Sequence, residues 1–212
     1  MFFGNYSLAP AADAAKLAVR SVDNFNWTFI TLLAFAALVY VFLLEKKDYR
    51  AISAGLALYG VHWLYEIINA VICHFSGYAL WTVSAKSTSY ILLIGVCWEL
   101  SMMFSIAGIV AWKLLPEDKD KKISGINNRL LFAVISALGF SLVEIFLAST
   151  PAFIWVYPWW GALPVFITTY IPFFLASNFV PDMKPKNRNL FLGIIWGADA
   201  LLLIVLIPSG II

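Results

Sequence analysis

Residues 51–73 read Ala-Ile-Ser-Ala-Gly-Leu-Ala-Leu-Tyr-Gly-Val-His-Trp-Leu-Tyr-Glu-Ile-Ile-Asn-Ala-Val-Ile-Cys, an apolar run without Lys or Arg that still holds a carboxylate, Glu66. A helix needs roughly 20 mostly apolar residues to cross a bilayer, and this run is long enough. An ionisable group placed in hydrocarbon costs roughly 2.5–3.5 kcal/mol on insertion scales, so it persists with a partner or a purpose. The run is therefore read both as a membrane span and as the place to look for function.

Five further runs of the same kind follow outward from it: Asn26–Leu44, Ser89–Trp112, Leu130–Ser149, Pro164–Val180 and Leu190–Ile207. Pro164 and Pro172 interrupt the fifth. Hydrophobic residues make up 62% of the 212 and charged residues 12%, more apolar sequence than one water-soluble core can enclose. The runs are unbroken rather than alternating, which excludes a β-barrel. The expected fold is an all-α, polytopic transmembrane helix bundle of about six spans. Residues 1–25 are expected to form an outer-face interfacial segment and residues 26–212 a single bundle.

Basic residues orient the bundle. Lys46, Lys47 and Arg50 follow span one; Lys113, Lys119, Lys121, Lys122 and Arg129 follow span three; Lys184, Lys186 and Arg188 follow span five. The opposite side has Lys16, Arg20 and Lys86. By the positive-inside rule both termini face outward, and an even number of spans agrees by placing them on one side. Residues 1–25 lack the basic start and continuous apolar stretch of an export signal. Instead Pro10 is suited to open a short helix, running to about Val22, that lies on the outer surface.

Four acids on four spans, Glu66, Glu99, Glu144 and Asp199, have no Lys or Arg within their own segment. Counted at 1.5 Å per helical residue, all lie roughly 7–15 Å below the outer boundary, so they can share one interior. Glu66, Glu99 and Asp199 are expected to face one cavity with His62 at its inner edge, Glu144 being the shallowest. His62, Glu66, Asn69 and Cys73 fall on one helical face, with Tyr59 one turn deeper and His74 near the outer surface. Trp98 adjoins Glu99, Ser141 shares a face with Glu144, and Trp196 lies one turn before Asp199, near Gly193 and Gly197. The aromatic run 151–161 is either an interfacial belt or a lid over this interior.

Catalytic roles are assigned to Glu66, Asp199, Glu99 and His62, and substrate contacts to Tyr59, Asn69, Trp98, Glu144 and Trp196. A carboxyl kept from water favours its protonated form, and a protonated acid beside an ionised one supplies the donor and acceptor of acid–base chemistry. No cofactor is expected. A divalent metal is an open alternative, although the order His-x-x-x-Glu differs from the Glu-x-x-His of di-iron bundles. Cys73 and Cys97 read as buried thiols, and no basic run or glycine-rich cradle suits nucleic acid or nucleotide.

In length, membrane embedding and the pairing of an early-helix Glu (Glu66) with a last-helix Asp (Asp199), the chain resembles the small multi-pass membrane terpene cyclases. That resemblance implies a cyclase or isomerase acting on an isoprenoid. The residues themselves point to an integral protein of the cell membrane performing acid–base chemistry on a lipid-like molecule. A proton- or cation-coupled transporter is the alternative, and a non-catalytic subunit of a membrane complex or homo-oligomer is a third.

Overall fold

The computed structural model describes residues 10–84 and 86–212. Residues 1–9, part of the proposed interfacial segment, lie outside the described residues. The chain is an all-α polytopic bundle built from α1 (Pro10–Ala18), α2 (Trp27–Glu45), α3 (Tyr49–Ser76), α4 (Trp98–Leu114), α5 (Asn128–Ala148), α6 (Ala162–Val165), α7 (Ile171–Phe179) and α8 (Pro185–Leu206). Among the described residues five stretches are long and apolar enough to cross a membrane: α2, α3, α5, Ala162–Asp182 and α8. Helix α1 ends at Ala18, short of Val22.

Local chemistry sets the helix ends. The side chains of Asn26, Asp48 and Asn127 accept hydrogen bonds from the backbone N–H of Thr28 (2.9 Å), Ala51 (3.1 Å) and Arg129 (2.8 Å), each serving as an N-cap. Gly77, at φ 84°, closes α3 in the left-handed conformation that glycine adopts without a Cβ clash.

Helix α3 is the central post, packed by α4, α7 and α8. Its approach to α4 is close because Gly108 faces the Ala54 carbonyl, where any Cβ would collide. Small residues at such crossings let backbones approach and gain dispersion contacts, the main source of helix association in lipid. Helices α2 and α8 are peripheral, and Leu33, Leu38, Phe42, Ile194, Leu201 and Ile204 face outward. Such a belt would aggregate a water-soluble protein, but it matches hydrocarbon.

The third expected span needs correction. Helix α4 has 17 residues and starts at Trp98. Residues before it form an antiparallel hairpin, β2 (Ile91–Leu93) with β3 (Val96–Cys97). A short apolar run reads equally as buried strand or helix, which is why the sequence extended the span back to Ser89. Non-helical backbone at membrane depth is tolerated where protein covers it, and Ile91, Leu93 and Val96 are each at most 1% exposed.

Two further small antiparallel sheets complete the fold. β1 (Trp81–Val83) pairs with β6 (Phe153–Trp155), while β4 (Lys122–Ile123) pairs with β5 (Ile126–Asn127). The aromatic run is thereby sewn to the segment after α3. At the end of the bundle that carries the basic loops Arg129, only 7% exposed, binds the Asn178 carbonyl (2.9 Å), Asp120 (2.9 Å) and Asp182 (2.6 Å), clamping α5 to the end of α7.

The prolines do not break the fifth span. Helix α6 runs into α7 through a π turn, Phe166–Tyr170, in which the Ile171 N–H reaches back five residues to the Phe166 carbonyl. Pro172 has no N–H to offer the Thr168 carbonyl four residues earlier. Tyr65 from α3 supplies the donor instead, its hydroxyl 2.7 Å from that oxygen.

Candidate functional site

Between α3, α4, α5 and the π turn lies a cavity of about 40 Å³. Its polar wall comprises His62, Glu66, Glu144, Thr169 and Tyr170, with Trp81 above them. Apolar side chains, among them Met103, Phe104, Phe140 and Phe173, make up most of the remainder. At roughly 10–15 Å³ of accessible volume per water, the space admits about three waters and no lipid chain.

The two carboxyls are held differently. Both Glu144 oxygens are engaged: Oε1 accepts from Trp155 Nε1 at 2.6 Å, and Oε2 accepts from the Tyr170 hydroxyl. Glu66 is held by one oxygen. Its Oε1 accepts from Trp81 Nε1 at 3.3 Å and lies 3.8 Å from His62 Nδ1, one helical turn away. Among the described residues Glu66 Oε2, His62 Nε2 and Thr169 Oγ1 have no hydrogen-bonding partner. Three buried polar atoms around one small space are what a bridging water or a transferable proton requires, because each left alone costs roughly 1–3 kcal/mol.

Packing fixes these groups in place. The His62 imidazole stacks on Phe104 with centroids 4.2 Å apart. Asn69, one turn beyond Glu66, is fully buried and donates to the Trp81 carbonyl (3.0 Å) while accepting from the Leu80 N–H (2.8 Å). It thereby straps β1 to α3 and sets the Trp81 ring over Glu66. Trp160 stacks on Trp81 at 5.7 Å, which packs the aromatic run against the Trp81 ring. Gly95, in the β2–β3 turn, closes the side: a Cβ there would stand 2.6 Å from Glu66 Oε2 and would strike Asn69 and Trp81.

The expected constellation is therefore redrawn. His62 and Glu66 line the cavity as read, and Glu144 joins them, although its shallow position suggested otherwise. Glu99 does not face it. With α4 starting at Trp98, Glu99 falls in the first turn, where Oε1 accepts from the Ser89 N–H at 2.6 Å, and it borders a separate space of about 150 Å³. Asp199 does not face it either: it is buried on α8, and neither of its oxygens has a hydrogen-bonding partner among the described residues. Trp196, one turn before it, donates to the Leu56 carbonyl (3.1 Å), tying α8 to α3. Trp98 stacks on Phe29 and donates to its carbonyl (2.9 Å), a contact between α2 and α4. Tyr59 shares a hydrogen bond with Ser101 at 2.7 Å, one turn below His62.

The sequence alone does not mark Trp81, Trp155, Tyr170, Thr169 and Gly95 as site residues. The signal for Trp155 was its aromatic run, and for Tyr170 its place between two prolines. Trp81 had none, since a lone Trp near the interface is ordinary. Among the described residues no three His, Cys, Asp or Glu converge as a metal-ligand set.

A family model described as "Uncharacterized membrane protein family" matches residues 9–208. A relative from Archaeoglobus fulgidus, named "Uncharacterized protein", is 42% identical over 200 residues, covering 92% of this chain and 94% of its own. No solved structure matches the chain. These matches overturn the resemblance to membrane terpene cyclases, since neither carries such a description. The geometry agrees, because Glu66 and Asp199 do not line a common cavity.

Proposed function

This chain belongs to that uncharacterized membrane protein family, and from this premise we propose that it is an integral membrane protein whose buried acids handle protons, coupling their movement to transport across the bilayer. The observation that carries the reading is the half-tethered, buried Glu66 beside His62 and Glu144 at a small, mostly apolar space. A transferable proton needs a donor and an acceptor one hydrogen bond or one water apart, in a site shielded from bulk solvent. Glu144, held at both oxygens, serves as the fixed member, and Glu66 exchanges the proton with His62.

The size of the cavity favours a proton over a bulky guest. Ligand sites for drug-sized molecules run to about 300–1,000 Å³, far above this one. A second reading, acid–base catalysis on a lipid-like substrate, draws support from the apolar side chains that make up most of the lining. It requires the Trp81 ring, with Trp160 packed against it, to move aside.

The test is proton flux into proteoliposomes carrying an internal pH dye, with an imposed potential. Flux is expected from the unmodified protein, falling to background with Glu66→Gln while the thermal midpoint in detergent holds. Glu66→Gln keeps size and hydrogen-bonding capacity but not the proton. Equal flux in both proteins, or none in either, removes the transport reading. In the second case, turnover of a lipid extract that is lost in Glu66→Gln would carry the enzyme reading.

A further inference from the structure

A second, larger space of about 460 Å³ lies at the end of the bundle that the basic-loop rule places outward, between α1, the end of α3, the β2–β3 turn and the residues after α8. Its size is that of a ligand site, unlike the carboxylate cavity. The lining is divided by chemistry. Lys16, Arg20 and His74 supply the polar edge, and Leu93, Ile94 and Ile211 are part of an apolar floor.

The cations are placed rather than scattered. Arg20, the second residue after α1, sits at φ 58°, an uncommon conformation for a non-glycine residue. Its Nη1 donates to the Leu92 carbonyl (3.2 Å) and its Nη2 to the Ile212 carbonyl (2.9 Å), which aims the guanidinium along the cavity wall. Those bonds use two of its five N–H donors. Among the described residues no Asp or Glu side chain forms an ion pair with Arg20. Lys16 is fixed by the Gly77 carbonyl (2.6 Å) and lies 3.3 Å from Asp13, which does not line the cavity. The site thus joins a guanidinium and an ammonium, each tied to backbone oxygens, to an apolar floor.

We propose that this cavity binds a phosphate-bearing amphiphile, an anionic phospholipid of the outer leaflet, with the phosphate on Arg20 and Lys16 and the first part of the chain over Leu93, Ile94 and Ile211. A guanidinium with free N–H donors matches phosphate in charge and shape, and an ammonium adds a point charge. The apolar floor separates this ligand from free phosphate, which gains nothing from it. The proposal is independent of the proton reading, since it shares no residue with the carboxylate cavity.

The test uses the full chain in nanodiscs of phosphatidylglycerol and phosphatidylcholine in equal amounts. Native mass spectrometry after release counts the retained lipid. The unmodified protein is expected to keep phosphatidylglycerol in preference. The double variant Lys16→Gln with Arg20→Gln should lose that preference by about tenfold or more, the order expected for removing charge-assisted bonds. Lys86→Gln, outside the cavity, should change nothing, and Lys16→Arg should retain binding. If the double variant does not fold, Ile211→Trp, which fills the space without touching a charge, should also lower retention. Retention unchanged by these substitutions, or no preference for phosphatidylglycerol, would overturn the proposal. Displacement of the lipid by micromolar inorganic phosphate would overturn the amphiphile assignment and leave a free-phosphate site.

Discussion

Asn69→Ala is expected to unfasten Trp81 from the carboxylate cavity, and the structure sets the size of the effect. The side chain has no solvent exposure, and it bridges α3 to β1 through the Leu80 N–H at 2.8 Å and the Trp81 carbonyl at 3.0 Å. Alanine leaves both backbone groups without that partner. Each buried orphan costs roughly 1–3 kcal/mol, and water reaches the half-buried Leu80 to some extent, so a total of about 2–4 kcal/mol is expected. The assay is equilibrium unfolding in mixed micelles with rising SDS, followed by Trp fluorescence. An alanine variant within about 0.5 kcal/mol of the unmodified protein, the range of an ordinary surface change, would refute the strap.

Gly95→Ala should destabilise by about 1–3 kcal/mol through overpacking against Glu66, Asn69 and Trp81, and should lower proton flux as well; a neutral result in both assays would remove the close approach from the description of the site. Lys113 of α4 hydrogen-bonds Asp48, the N-cap of α3, and holds its carboxyl below the ordinary carboxylate range. A depressed folded-state value means the stabilisation is whole above the free-carboxylate pKa of about 3.9 and fades as pH falls through the folded value. Stability measured against pH should therefore drop in that acid window, and Lys113→Met should flatten the slope; the same slope in both proteins counts against the pair. For orientation, Asp120→Cys should resist a membrane-impermeant thiol reagent added to intact cells, and labelling from outside would invert the assignment of the basic loops.

Much of the fold was legible because its causes are local. Length and composition mark the apolar runs as spans, and Asn26, Asp48 and Asn127 announce helix starts through their own side chains. The face shared by His62, Glu66 and Asn69 follows from helical periodicity alone, and the structure keeps all three at or beside the cavity. Span three was misread at its outer end for an equally physical reason: Ile91–Cys97 is apolar in either conformation, and its β pairing rests on cover from the surrounding protein.

The sequence by itself determined a membrane-embedded helical protein with four acids in its apolar runs. Which acids meet was decided by tertiary structure. Depth along a helix is a property of residue count, but the direction in which a side chain points into the bundle depends on how each helix is rotated against its neighbours. Helix α8 packs at the periphery, so Asp199 is buried there without reaching Glu66. The late start of α4 places Glu99 beside Ser89. Trp81 and Trp155 are brought together by the β1–β6 pairing, across a separation that no local pattern spans, and each then fixes one of the two acids that share the cavity.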